Sequence, residues 1–137
     1  MTERRESGNP EKPAAGIGMP HALHLQEFAI IVSAAFDGAI PYQVGSSMWA
    51  PKWRDVDVRI MLDREKYEQM GFGDPKRPHD NPKWCALVMA FSELGRKMTD
   101  LPIDFQIQEV ATANEDYPDR KANVRSALVQ GFRRRDA

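Results

Sequence analysis

The stretch Asp55-Val56-Asp57-Val58-Arg59-Ile60-Met61-Leu62 decides the fold. Apolar and polar residues alternate through it, and strand side chains alternate between faces, so Val56, Val58, Ile60 and Leu62 share one face of a strand. Its other face begins with Asp55 and Asp57. Aspartate is a poor strand former, so two of them at solvent-side positions ask for a reason. Side chains at i and i+2 of a strand point the same way, about 6 to 7 Å apart, which puts both carboxylates on one face. A later stretch, Ile103-Asp104-Phe105-Gln106-Ile107-Gln108, repeats the design with Ile103, Phe105 and Ile107 turned to the core. Laid beside the first strand, as matching apolar faces favour, it brings Asp104 up as a third carboxylate.

Outward from these strands the chain supplies their cover. Leu23, Leu25, Phe28, Ile31, Val32, Ala35 and Phe36 recur at helical spacing over residues 21–38, and Gly38 ends the helix. Tyr42-Gln43-Val44 reads as a short strand running into Gly45-Ser46-Ser47, and Pro51 keeps the segment between Trp49 and Trp53 from forming a long helix. Asp63 caps a short helix through Met70, ended by Gly71. Residues 71–82 hold two glycines and three prolines and predict a long surface loop. Asn81-Pro82 opens a third helix with the stripe Trp84, Leu87, Val88, Phe91, Leu94 and Met98. After the Asp104 strand, residues 113–119 read as turns and residues 120–132 as a weaker helix. The expected class is α+β, a small mixed sheet with helices packed mainly on one face.

Length and composition bound the rest. At 137 residues the chain is one domain's worth. Residues 1–20 read as a disordered leader, 21–132 as the domain and 133–137 as a basic tail. With 42% hydrophobic and 28% charged residues a core can form, and a net charge of -1 gives no global field for nucleic acid or membrane. The single cysteine, Cys85, excludes an internal disulfide and a cysteine zinc site. No apolar run approaches the ~20 residues of a membrane span. The opening Met1-Thr2-Glu3-Arg4-Arg5-Glu6-Ser7-Gly8 lacks the apolar core of a secretory signal, so a cytoplasmic protein is expected. His21 and His24 stand one helical turn apart without a third ligand and read as flanking the first helix. Lys76, Arg77 and His79 belong to the long loop, where solvated side chains are the simpler reading. Trp49 and Trp53 flank the acidic positions, where a core or rim place is the simpler reading and base stacking the sharper one.

Three clustered carboxylates repel unless a proton or a cation intervenes, and hard oxygen ligands suit Mg2+ or Mn2+. Two such ions about 3.5 to 4 Å apart would clamp the attacking and leaving oxygens of a phosphoryl displacement. Gly45, at a strand end and without a Cβ, lets backbone N–H groups approach a phosphate closely.

The order of these features resembles the nucleotidyltransferase superfamily of the DNA polymerase β type, in its small stand-alone form. The family pattern is an apolar residue, Gly, then Gly or Ser, a spacer, an apolar-flanked Asp-x-Asp, and a third carboxylate on a later strand. Val44-Gly45-Ser46, Asp55-Val56-Asp57-Val58 and Ile103-Asp104-Phe105 follow it, and the likeness covers residues 26–108. The resemblance implies that Asp55, Asp57 and Asp104 bind two Mg2+ or Mn2+ ions, that Asp104 helps deprotonate an acceptor hydroxyl, and that Ser46 contacts the terminal phosphates of an NTP. Ser47, Lys52 and Arg54 join Gly45 and Ser46 as candidate nucleotide contacts. The implied activity is transfer of a nucleoside monophosphate from an NTP to a hydroxyl, with release of pyrophosphate.

Residues 47–54 form a spacer slightly shorter than most members show, and the arginine and second glycine that often follow the Gly-Ser pair are missing; Lys52 or Arg54 could supply that charge. Two alternatives stay open. One is a catalytically inactive, antitoxin-like binding or interaction module on the same fold. The other is a structural or assembly protein with no metal site. Partners would be an NTP, an acceptor that is nucleic acid, protein or small molecule, and in one option a second copy of the chain forming a homo-oligomer; no membrane is expected.

Overall fold

Four α-helices and four strands form an α+β fold in the computed structural model, which describes residues 17–48, 50, 52–116 and 125–129. In chain order they are α1 (His21–Ala35), β1 (Pro41–Val44), β2 (Val56–Leu62), α2 (Arg64–Gln69), α3 (Pro82–Thr99), β3 (Ile103–Glu109), α4 (Val110–Asp116) and β4 (Arg125–Ala127). They make one sheet in the order β3-β2-β1-β4. β2 and β3 run parallel, with Asp57 beside Asp104. β1 is antiparallel to both β2 and β4.

Alternation in the two long strands works as the pattern demands. Val56, Val58, Ile60 and Leu62 are buried, as are Ile103, Phe105 and Ile107, and α1 and α3 cover them from one side. Phe105 is the hub, with its ring 6.4 Å from Phe28, 6.3 Å from Phe36 and 5.3 Å from Phe91. Gly95 lets α3 come this close, because a Cβ there would stand 2.9 Å from Phe28 Cζ and 3.0 Å from Ile103 Cγ2.

The outer edge of β3 is closed by side chains of α3. Ser92 Oγ accepts from the Phe105 N–H at 3.0 Å, Arg96 donates to the Ile103 carbonyl at 3.2 Å, and Trp84 Nε1 donates to the Ile107 carbonyl at 2.9 Å. A free strand edge is a template for unwanted pairing, and here its polar groups are occupied from within.

Helix ends follow their caps. Asp63 Oδ1 accepts from the Lys66 N–H at 2.8 Å, and Asn81 Oδ1 from the Trp84 N–H at 2.8 Å. The loop after α2 contains a 3-10 turn at Pro78–Asp80 and is pinned by Phe72, which is fully buried against Tyr67 with ring centroids 5.2 Å apart. No helix among the described residues is long and apolar enough to cross a membrane.

Three expectations about elements need correction. On α1, Leu23 and Ile31 are exposed and Ala29 is buried instead, because the helix presents the narrower strip Leu25, Phe28, Ala29 and Val32 to the core. On α3, Leu94 faces outward, and Ser92, Gly95 and Thr99 hold the innermost positions with Trp84. Small residues win there because the helix approaches α1 and β3 so closely. In the C-terminal region, residues expected as turns are helical through Asp116, and Arg125–Ala127 is a strand rather than part of a helix. Its pairing with the free edge of β1 overrides a weak helical pattern. Residues 128–129 form a bend, and residues 120–124 and 130–132 of the expected helix, the basic tail and residues 1–16 of the leader lie outside the described residues. Ile17 already packs against the core.

Candidate metal centre

The parallel pairing of β2 and β3 builds the site. Asp57 and Asp104 are register partners and therefore share a face, the one away from α1 and α3. Asp55 lies just before β2 and is exposed. One carboxylate oxygen from each of Asp55, Asp57 and Asp104 lies within 4.8 Å of the others, the spacing of a shared cation. Asp55, expected inside the strand, stands at its entrance and still joins the cluster.

Gly45 meets this cluster directly. Its φ of +83° favours glycine, and a Cβ there would fall 2.5 Å from Asp57 Oδ2. The missing side chain thus makes room for the Asp57 carboxylate itself, a role the sequence reading had given only to an approaching phosphate. Ser46 opens the 3-10 turn Ser46–Met48 and is exposed beside the cluster's turn. Ser47 is turned the other way. It is buried, and its hydroxyl accepts from Gln43 Nε2 at 2.9 Å on the helix-covered side of the sheet, so it is not presented with Ser46.

Arg59 also belongs to the candidate site, although sequence reasoning passed it over. Two places along β2 from Asp57, it shares the open face by the same period-two rule. Its guanidinium lies 3.6 Å from Asp57 Oδ1 and 3.9 Å from Asp104 Oδ2 and donates to the Asp104 carbonyl at 2.9 Å. Burial pushes the Asp57 carboxyl above its ordinary range; Arg59 opposes the shift, and the charges of Asp104 and Asp55 add to it. Three carboxylates face one guanidinium here, and a bound cation would relieve their mutual repulsion.

Lys52 and Arg54 are exposed, and Trp53 is half-buried against the core. Trp49 lies outside the described residues. Lys76 pairs with Glu115 at 3.3 Å, Arg77 with Asp80 at 2.8 Å, and the His79 ring packs on Trp84 at 5.0 Å, so the loop cations have partners within the domain. His24 contacts Glu27 at 3.3 Å, and the half-buried Cys85 thiol donates to the His79 carbonyl. No protein-family model, curated protein or solved structure matches the chain.

Proposed function

We propose that this domain is a metal-dependent nucleotidyltransferase, which moves a nucleoside monophosphate from an NTP to a hydroxyl acceptor and releases pyrophosphate. The observation that carries the reading is the convergence of Asp55, Asp57 and Asp104 beside the Gly45-Ser46 turn. All the donors are hard carboxylate oxygens, the set that suits Mg2+ or Mn2+. Ions held there would neutralise charge on the transferring phosphoryl group and orient it. Asp104 would also take the proton of the acceptor hydroxyl, while the Ser46 hydroxyl and backbone would hold the outer phosphates. Most of the rate gain would come from positioning and charge complementarity.

Arg59 favours a second reading. A guanidinium already sits within 4 Å of two of the carboxylates, as it would in an interaction module that keeps the fold without turnover. Titration with Mn2+ followed by incubation with labelled NTPs and candidate acceptors separates the two. The enzyme binds Mn2+ and transfers label, and Asp104→Asn abolishes transfer by a factor of at least ~100. A wild type that binds neither Mn2+ nor nucleotide overturns the enzyme.

A further inference from the structure

We propose that the chain forms a twofold homodimer through α1, with α1 of one protomer packed antiparallel on α1 of its partner about the midpoint between Ile30 and Ile31. Nothing in this pairing depends on the nucleotidyltransferase reading, because it uses the helix layer on the opposite side of the sheet from the carboxylates. Between Phe28 and Phe36 the only polar residue is Ser33, and α1 carries no lysine or arginine. A helix apolar on all sides belongs in a core. Yet α1 buries one side alone: Leu25, Phe28, Ala29 and Val32 are covered, while Leu23 is 51%, Ile30 55% and Ile31 44% exposed. Leu23, Glu27, Ile30 and Ala34 stand at i, i+4, i+7 and i+11, one outward stripe along the helix with Ile31 beside it. Leu94 of α3 widens the stripe. It lies one turn on from Phe91, whose ring is 5.7 Å from that of Phe36, and is 38% exposed. The rest of the outer side of α3 is an ordinary solvated one, with Lys83, Glu93 and Lys97 exposed.

Charge and area select a second copy as the occupant. A helix that lies on a membrane surface carries Lys or Arg along its polar side, and α1 has neither. Its one acidic residue is Glu27. A parallel pair of α1 helices would set Glu27 against Glu27. The antiparallel pair sets Glu27 against the small Ala34, keeps the two glutamates about 10 Å apart along the axis and opposes the two helix dipoles. The same register brings His24 opposite Asp37, just beyond the end of the partner helix. Twofold symmetry repeats each of these contacts and closes the assembly. With 15 and 18 residues, α1 and α3 are about 22 and 27 Å long and each about 10 Å wide, so the layer offers roughly 500 Å2 in plan. Side-chain relief brings that toward the ~800 Å2 per partner of a stable interface, with Lys83, Glu93 and Lys97 as its polar rim.

Sedimentation equilibrium of the full chain between about 1 and 500 μM reads the association. Wild type is expected to dimerise with a Kd of about 1 to 50 μM. Ile30→Lys should weaken the dimer at least ~30-fold with an unchanged melting curve, because the side chain it replaces is exposed in the protomer. Met89→Lys alters another exposed apolar residue, roughly 140° round α3 from Leu94, and should stay within about twofold of wild type. Cysteine cross-linking in a Cys85→Ser background reads the register. Ile30→Cys lies beside the twofold axis and should form an intermolecular disulfide, whereas Leu23→Cys stands about 22 Å from its mate and should not. A wild type still monomeric at about 500 μM overturns the proposal and leaves the stripe to another kind of partner. A dimer that Ile30→Lys does not weaken, or that cross-links equally through Leu23→Cys, overturns it too. Should Ile30→Lys fail to fold, the two cysteine variants decide.

Discussion

The two ends of the β2–β3 pair treat a carboxylate in opposite ways. At the far end Glu109 is 4% exposed, and burial alone would raise its pKa. Hydrogen bonds outweigh that: the Thr112 hydroxyl donates at 2.7 Å, the Thr112 and Ala111 N–H groups at 2.9 and 3.1 Å, and Arg64 adds its charge, so the carboxyl is held below its ordinary range. At the near end burial prevails, and it holds the Asp57 carboxyl above its ordinary range. Its neighbours are Asp55 and Asp104, with Arg59 as the opposing charge. Glu109 is satisfied by its own chain at the start of α4 and is structural. Asp57 is held where ionisation costs the fold, and its place beside Asp55 and Asp104 is what supports a cation-binding reading for that end.

Substitutions can break this contrast at either end. Glu109→Ala has the largest expected effect on stability, a loss of about 2 kcal/mol at neutral pH, because it strips the helix start of its acceptor and leaves the part-buried Ala111 and Thr112 N–H groups without one. Since the native pKa is depressed, the carboxylate's contribution is fully present above the unfolded value of about 4.3 and disappears as pH falls through the native value. Denaturant melts of wild type and variant between neutral pH and pH 3 should converge in acid. A loss that persists undiminished there would mean that Glu109 acts by packing.

Gly45→Ala should cost about 1 to 2 kcal/mol through its positive φ and the clash with Asp57. Displacing that carboxylate should also weaken Mn2+ binding at least ~10-fold, measurable by calorimetry; unchanged affinity would detach Gly45 from the site. Asp57→Asn has the smallest and opposite effect, a slight gain in stability at neutral pH, together with loss of Mn2+ binding. Its sign follows from the raised native pKa: the penalty exists at pH above that value, shrinks as pH falls, and is gone below the unfolded value of about 3.9. A destabilised variant at neutral pH would show Asp57 to be structural like Glu109.

Much of this contrast is readable along the chain. Alternation around Val56 and Phe105 gives both strands, their buried faces and the open-face positions of the three aspartates. Arg59 was equally accessible, being two residues from Asp57 on a strand whose period was already established. The depth of Ser92, Gly95 and Thr99 on α3 was not, because apolar periodicity marks the large residues while close approach selects small ones. Glu109 was missed because a charged residue continuing an apolar face reads as the strand's end. β4 could not be found from local pattern at all, since its place depends on which strand edge is free.

By itself, the sequence determined the α+β class, the alternating strands, the caps at Asp63 and Asn81, and the candidacy of Asp55, Asp57 and Asp104. Those features rest on local physics: side-chain period, cap chemistry and the conformational limits of glycine and proline. Only the tertiary structure decided that Asp57 and Asp104 are direct partners, that Gly45 opens space for Asp57, that Ser47 turns inward, and that β4 takes the free edge of β1. Strand order and register come from long-range pairing between segments tens of residues apart, and local sequence pattern does not encode which edge meets which.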